Sequence, residues 1–265
     1  MKEILKPALV LFIIAAAAAV CVGASYEVTK QPIAAAKERE RQAALKELIP
    51  EADGFEPLPS FEGAGGEIIY FGGANSGFTG EGAGVSADIK PLEFASGEII
   101  YVNGKMLGYA LLGGRDAAAV LNADGVWETR AVKDLVSQGD GVAYVTDALA
   151  AVKNGETIGF IASSEGYGGY SGAVGVMTAL DPEGTITGVK VVSQRETPGL
   201  GANAEKPAFS GQYKGKSGRL SVTKTAPSEN EIVAITSATL TTRAVTNAVN
   251  AALGFYNDVI RGAAR

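Results

Sequence analysis

Near the C-terminus, Thr236-Ser-Ala-Thr-Leu-Thr-Thr242 places five hydroxyl side chains in seven residues, just ahead of a segment patterned as a helix. Hydroxyls at such a junction have two uses. They cap the helix, because Ser and Thr oxygens accept from first-turn amides that lack partners within it. Alternatively they help to hold an anion, because the same free amides and the positive end of the helix dipole suit a phosphate. Arg243 adds a charged donor nearby. Both readings stand on the residues alone. In a second segment, Glu196-Thr-Pro-Gly-Leu-Gly201, Pro198-Gly199 fits the centre of a type II turn. Gly201 lets another group approach the backbone closely. The third, Gly166-Tyr-Gly-Gly169, reads as a turn whose Tyr167 can offer a flat face to a ring. Gly80-Glu-Gly82-Ala-Gly84 lacks the Lys-Ser/Thr ending of a phosphate-binding loop and reads as a plain loop.

Composition narrows the chemistry. The 265 residues include no histidine and one cysteine, Cys21. A His-based acid–base pair, a His/Cys zinc site, a His-ligated haem, a Cys-ligated iron–sulfur cluster and an intrachain disulfide are therefore excluded. Redox chemistry would need an organic cofactor or a bound partner. With 46% hydrophobic and 20% charged residues the chain is neither disordered nor fibrous, and a net charge of −6 argues against a nucleic-acid ligand.

The elements that must position these segments begin with Pro7–Tyr26, 20 uncharged residues behind Lys2 and Lys6. As a helix the run would extend about 30 Å and is expected to span a membrane. Cleavage as a signal peptide after Val22-Gly23-Ala24 is the alternative. Ile33–Ile49 reads as a connecting helix ending at Pro50. The copies Glu67-Ile-Ile-Tyr70 and Glu98-Ile-Ile-Tyr101 read as strands, and residues 147–153 as a helix. Ile158–Ile161, Ala173–Leu180, Ile186–Val192 and Leu220–Val222 read as strands, with Asp181-Pro-Glu-Gly184 a hairpin turn. Val245, Ala248, Val249, Ala252, Leu253 and Tyr256 repeat as one buried face of a final helix. Antiparallel strands capped by a C-terminal helix make an α+β fold.

Taken together, the three motifs resemble the G subunit of the Rnf electron-transport complex, and more distantly the C subunit of the sodium-pumping NADH:quinone reductase. The likeness rests on Gly166-Tyr-Gly-Gly169, on Glu196 to Gly201, and on Thr236-Ser-Ala-Thr239 before the last helix. It covers roughly residues 1–50 and 158–260. Two positions depart from the pattern: a glycine of the family is Ser237 here, and an acidic residue is Val233.

The resemblance implies a membrane-anchored α+β protein with an extracytoplasmic FMN-binding domain. FMN would be joined by a phosphodiester to Thr239, installed from FAD by a separate FMN transferase. Thr236, Ser237, Ala238, Thr241 and Thr242 would surround the phosphate. Glu196, Thr197, Gly199, Leu200, Gly201 and Tyr167 would lie near the ring, and Lys216 would make a polar contact. The implied organisation is a cytoplasmic N-terminus (1–6), a transmembrane helix (7–26), a connecting helix (27–50), a β-rich region of unassigned role (51–157) and an FMN-binding core (158–260). The implied function is electron carriage in an ion-translocating ferredoxin:NAD oxidoreductase beside iron–sulfur and flavin subunits. A stand-alone anchored flavin shuttle and an anchored module without flavin are the alternatives.

Overall fold

The computed structural model describes residues 2–58, 61–62, 68–70, 77–79, 95–111, 114–121, 127–137 and 139–261. Two units are distinguished, Met1–Ala43 and Ala44–Arg265. Helix α1 (Lys2–Leu48) runs without interruption for 47 residues. Ala, Leu, Lys, Glu and Arg dominate it, all strong helix formers. Thr29 Oγ1 donates back to Ser25 O at 2.7 Å, which keeps the hydroxyl within the helix.

The expected transmembrane helix is corrected here. Among the described residues, no helix is long and apolar enough to cross a membrane. The single-pass placement built on this segment falls with it. Nor is there a break at Tyr26 to separate an anchor from a connecting helix.

The second unit is the α+β fold expected, with antiparallel strands and a C-terminal helix. In chain order its strands are β1 (Gly54–Pro57), β2 (Phe61–Glu62), β3 (Ile68–Tyr70), β4 (Gly77–Thr79), β5 (Ala95–Val102), β6 (Lys105–Leu111) and β7 (Gly114–Leu121). There follow β8 (Trp127–Ala131), β9 (Val142–Lys153), β10 (Glu156–Gly166), β11 (Val174–Leu180), β12 (Ile186–Ser193), β13 (Ser221–Thr223) and β14 (Glu231–Val233). The main sheet runs β12-β11-β10-β9-β5-β6-β7-β8, and β1 pairs with β9 as well. Separately, β2–β4 form a small sheet and β13–β14 a parallel pair. The short helices α2 (Val132–Leu135) and α3 (Pro207–Ser210) precede the long α4 (Thr239–Phe255), which ends in a π-helical turn, Tyr256–Ile260. The Gly80–Gly84 loop lies outside the described residues.

Turn chemistry sets the register. Asn103-Gly104 joins β5 to β6 and Asn154-Gly155 joins β9 to β10, with φ of 52° and 76° in the first and 52° and 80° in the second. Positive φ at both central residues matches the right-handed strand twist, and Asn-Gly adopts it at low cost. At the β11–β12 hairpin, Asp181 Oδ1 accepts from the Glu183 and Thr185 amides.

The helix expected over 147–153 is instead the second half of β9. Its alanines favour a helix locally, but alternate residues serve opposite faces of the sheet. Ala148 and Ala150 face the core under α4, while Leu149 and Ala151 join Ala44, Leu45 and Ile49 from the end of α1. The small alanines let the helices approach. Strand β11 is buried along its whole length for the same reason, with Val174, Val176 and Leu180 toward α4 and Met177 and Ala179 toward the other face.

Candidate functional site

The ends of β10 and β12 and the start of α4 converge on one cavity of about 590 Å³. Its size falls within the roughly 300–1,000 Å³ of small-molecule sites. From the loop after β12 come Glu196, Thr197, Leu200 and Gly201, and from the approach to α4 come Ser237, Ala238, Thr239 and Thr241. Thus two of the three sequence motifs, 40 residues apart in the chain, share one wall. Tyr170 and Leu240 complete the lining and were not foreseen. The signal for Tyr170 lay in the sequence: a second tyrosine closes the run Gly166-Tyr-Gly-Gly-Tyr170.

Glu196 ties the loops together. It is buried, with Oε1 accepting from the Ser171 amide at 2.8 Å and Oε2 from Thr241 Oγ1 at 2.6 Å. Its carboxylate therefore joins the loop after β10, the loop after β12 and the first turn of α4. Two glycines make room for it. A Cβ on Gly201 would lie 2.6 Å from both Glu196 Oε2 and Thr241 Oγ1, and one on Gly169 would lie 2.9 Å from Glu196 Oε1. Gly199 stands at φ +78°, in a turn closed by the Leu200 amide donating to Thr197 O at 3.1 Å. This geometry fits the type II turn. Glu196→Gln keeps the shape but sets one acceptor oxygen against two donors. Its expected cost is about 1–3 kcal/mol, read as a lower urea midpoint. An unchanged midpoint would show that the carboxylate does not hold the loops.

The hydroxyl cluster divides into distinct roles. Thr242 is fully buried; its Oγ1 accepts from the Ile235 amide and donates to Ala238 O, both at 3.0 Å. Thr242 thus ties the segment before α4 to its first turn, no side chain caps the helix, and Thr241 is spent on Glu196. The first backbone bond of α4 runs from the Thr242 amide to Ala238 O, so the amides of Thr239, Leu240 and Thr241 have no partner within the helix. Thr239, the first residue of α4, is half-buried, and its hydroxyl bonds to no described residue. It lines the cavity with that hydroxyl free.

Ser237 stands at φ +63°, in the left-handed region that favours glycine. The serine therefore already takes the conformation that glycine would supply. Ser237→Gly should raise stability by up to about 1 kcal/mol, since relief of strain is partly offset by a freer unfolded chain. A lower unfolding midpoint would contradict this. Val233 sits in β14 with its amide donating to Gln212 Oε1 at 2.8 Å. Glu231 is occupied elsewhere, accepting from the amide and hydroxyl of Ser228, which holds its carboxyl below the ordinary range.

Tyr167, Lys216, Gly199, Thr236 and Thr242 do not line this cavity. Lys216 donates to Glu229 O. Tyr167 turns to Arg115, whose Nη1 lies 2.7 Å from its hydroxyl, and its ring lies 5.1 Å from that of Tyr144. Arg115 also grips both oxygens of Glu98, at 2.6 and 2.7 Å, which with Glu165 raises the guanidinium pKa further. Strand β7 is thereby fastened to the end of β10 beside the motif loop. The Tyr144 hydroxyl is pushed up to about 12, chiefly by burial.

The fold and cavity define a small-molecule-binding α+β domain that follows a long N-terminal helix in the chain. Residues 169–254 match the family described as FMN-binding domain, and residues 1–48 match the RnfG N-terminal region. These two stretches make the chain similar to the RnfG type of FMN-binding protein at its N-terminal region and over its C-terminal domain. It is 42% identical over 108 residues to the G subunit of the proton-translocating ferredoxin:NAD(+) oxidoreductase complex of Clostridium ljungdahlii, covering 40% of this chain and 58% of that one. It is 40% identical over 110 residues to the Na(+)-translocating counterpart of Acetobacterium woodii, covering 40% and 53%. The chain thus spans about half the length of these curated relatives. Among solved structures, NqrC of Shewanella oneidensis aligns over 60% of this chain and 76% of its own, at 20% identity and a TM-score of 0.36.

Proposed function

We propose that this chain is a non-catalytic electron-carrier subunit of an ion-translocating oxidoreductase of the ferredoxin:NAD type, and that it carries FMN through a phosphodiester to Thr239 Oγ1. The observation that carries this reading is the free hydroxyl of Thr239, at the first residue of α4, opening on a 590 Å³ cavity. The residues present fit the group. The free first-turn amides and the helix dipole suit its phosphate. Leu200, Ala238 and Leu240 supply apolar wall for a ring, and Thr197 and Ser237 supply polar groups at its edge. Bound there, an isoalloxazine would supply the electron chemistry that a chain without histidine and with one cysteine lacks. The protein's own part is to hold and orient: Glu196 keeps Thr241 and the Ser171 amide in place, and Thr242 fixes the start of α4.

Residues 158–260 would then form the flavin-holding core, with 51–157 a β-rich extension joined to it through the pairing of β9 with β10 and β5. An FMN transferase is the maturation partner this requires, and other subunits of an Rnf-type complex are the electron partners. The test is mass spectrometry of the chain co-expressed with an FMN transferase. The tryptic peptide 225–243 should carry one FMN; unmodified peptide, with a transferase active on another substrate, would overturn the proposal.

A further inference from the structure

A second cleft, of about 350 Å³, shares no residue with the first. Its walls include Arg243 and Asn247 from α4, Arg219 and Ser221 at the start of β13, Asn103 from the β5–β6 turn and Gly141 ahead of β9. These walls are rigidly set. The buried Asn250 side chain accepts from the Leu220 amide at 2.8 Å and donates to Leu220 O at 2.9 Å, holding the residue after Arg219 against α4. Asn103 and Gly141 exchange two bonds, with the Asn103 amide donating to Gly141 O at 2.7 Å and the Gly141 amide to Asn103 Oδ1 at 2.9 Å. Asn247 packs so closely on Gly141 that a Cβ there would lie 2.2 Å from its Oδ1.

The polar groups inside this frame are, by contrast, unengaged. The side chains of Arg219, Arg243 and Asn247 make no hydrogen bond or ion pair with any described residue. The neighbouring acid, Asp140, is turned to other partners: Oδ1 accepts from Asn103 Nδ2 and Oδ2 from the Ser137 amide, both at 2.7 Å. The surrounding chain is basic in an otherwise acidic protein. Residues 206–228 hold Lys206, Lys214, Lys216, Arg219 and Lys224 and no acid, against a net charge of −6 overall. Two unpaired guanidinium groups in one concave site focus positive potential on whatever enters. Their planar forks match phosphate oxygens in pairs, and their joint charge matches a phosphate that carries about −1.5 to −2 near neutrality. The cleft lies at the low end of the roughly 300–1,000 Å³ range of ligand sites, which is more space than a bare phosphate fills.

We propose that this cleft binds the phosphate group of a small phosphorylated ligand between Arg219 and Arg243, with Asn247 and Ser221 as further hydrogen-bonding groups. The assignment is independent of the flavin reading, because none of these residues lines the Thr239 cavity. It is tested on the full chain by calorimetric titration with inorganic phosphate and with AMP, alongside backbone amide shifts. Saturable binding that weakens with salt is expected, with shifts at Ser221 and Asn247. Arg219→Gln and Arg243→Gln should each weaken it roughly tenfold or more. The Lys variants at the same positions should fall between, because they keep the charge and lose the fork. AMP binding tighter than phosphate would assign a nucleotide, and equal binding the free anion. Absence of binding by both probes, undiminished binding by the Arg219→Gln/Arg243→Gln double variant, or shifts confined to Leu200 and Leu240 would overturn the proposal.

Discussion

Thr239→Ala, co-expressed with an FMN transferase, is expected to lose covalent flavin completely while the native chain keeps it through denaturation. The expectation is all-or-none because the other hydroxyls of the cluster are not equivalent. Thr242 is fully buried with its oxygen both donating and accepting, and Thr241 is 1% exposed and bonded to Glu196. Thr236 and Ser237 are exposed but precede α4, so neither carries its oxygen on the first turn. Fluorescence of a denatured gel band is the measurement. A dark Thr239→Ala band beside fluorescent native chain supports the proposed site. A Thr239→Ala band as bright as the native one would move the flavin elsewhere and remove Thr239 from the account. The fold should be untouched, since the Thr239 hydroxyl has no described partner to lose.

Gly166→Ala carries the largest expected effect on stability. A Cβ at this position would lie 1.8 Å from Ala244 O and 2.7 Å from Ala244 C, both backbone atoms of α4. Rotamer changes offer no relief from such a clash, so the helix must move away from β10 along a fully buried seam that includes Ala244, Val245 and Ala248. Overpacking of this kind costs about 3 kcal/mol or more, which for a unit of this size lowers Tm by about 6 °C or more. Gly211→Ala is the control. Its Cβ would meet nothing within 4 Å, and its φ of −60° suits any residue. That substitution should be neutral or slightly stabilising. Equal Tm for the two variants would mean that the approach of α4 to β10 is not constrained at Gly166. A shift of α4 would also displace Thr239, so Gly166→Ala should reduce flavin loading, whereas Gly211→Ala should not.

The glycine motifs thus have separate physical reasons. Gly166 admits a helix, Gly169 and Gly201 admit a carboxylate, and Gly199 turns the chain. Composition alone excluded His-based chemistry and metal sites built on His or Cys ligands, because those need side chains the chain does not have. Periodicity located α4, since one buried face recurs at helical spacing whatever it packs against. The hairpin at Asp181–Gly184 was legible because its hydrogen bonds are local. Length and apolarity alone argued for a membrane span in the N-terminal run, and the described helix does not meet that requirement.

What tertiary structure decided was everything that depends on residues distant in sequence. Residues 147–153 have helical propensity, yet pairing with β10 on one side and β1 on the other makes them a strand. Tyr167 and Tyr170 are alike in sequence; Arg115, 52 residues before Tyr167, draws that ring away and leaves Tyr170 at the cavity. Arg243 follows Thr239 by one helical turn and reads as its neighbour, but it lines the second cleft with Arg219. Hydroxyls, glycines and a helix start are written locally and can be read locally. Which hydroxyl stays free, which tyrosine faces the cavity and which arginines meet depend on long-range contacts. Those contacts are set by how the sheet and α4 pack.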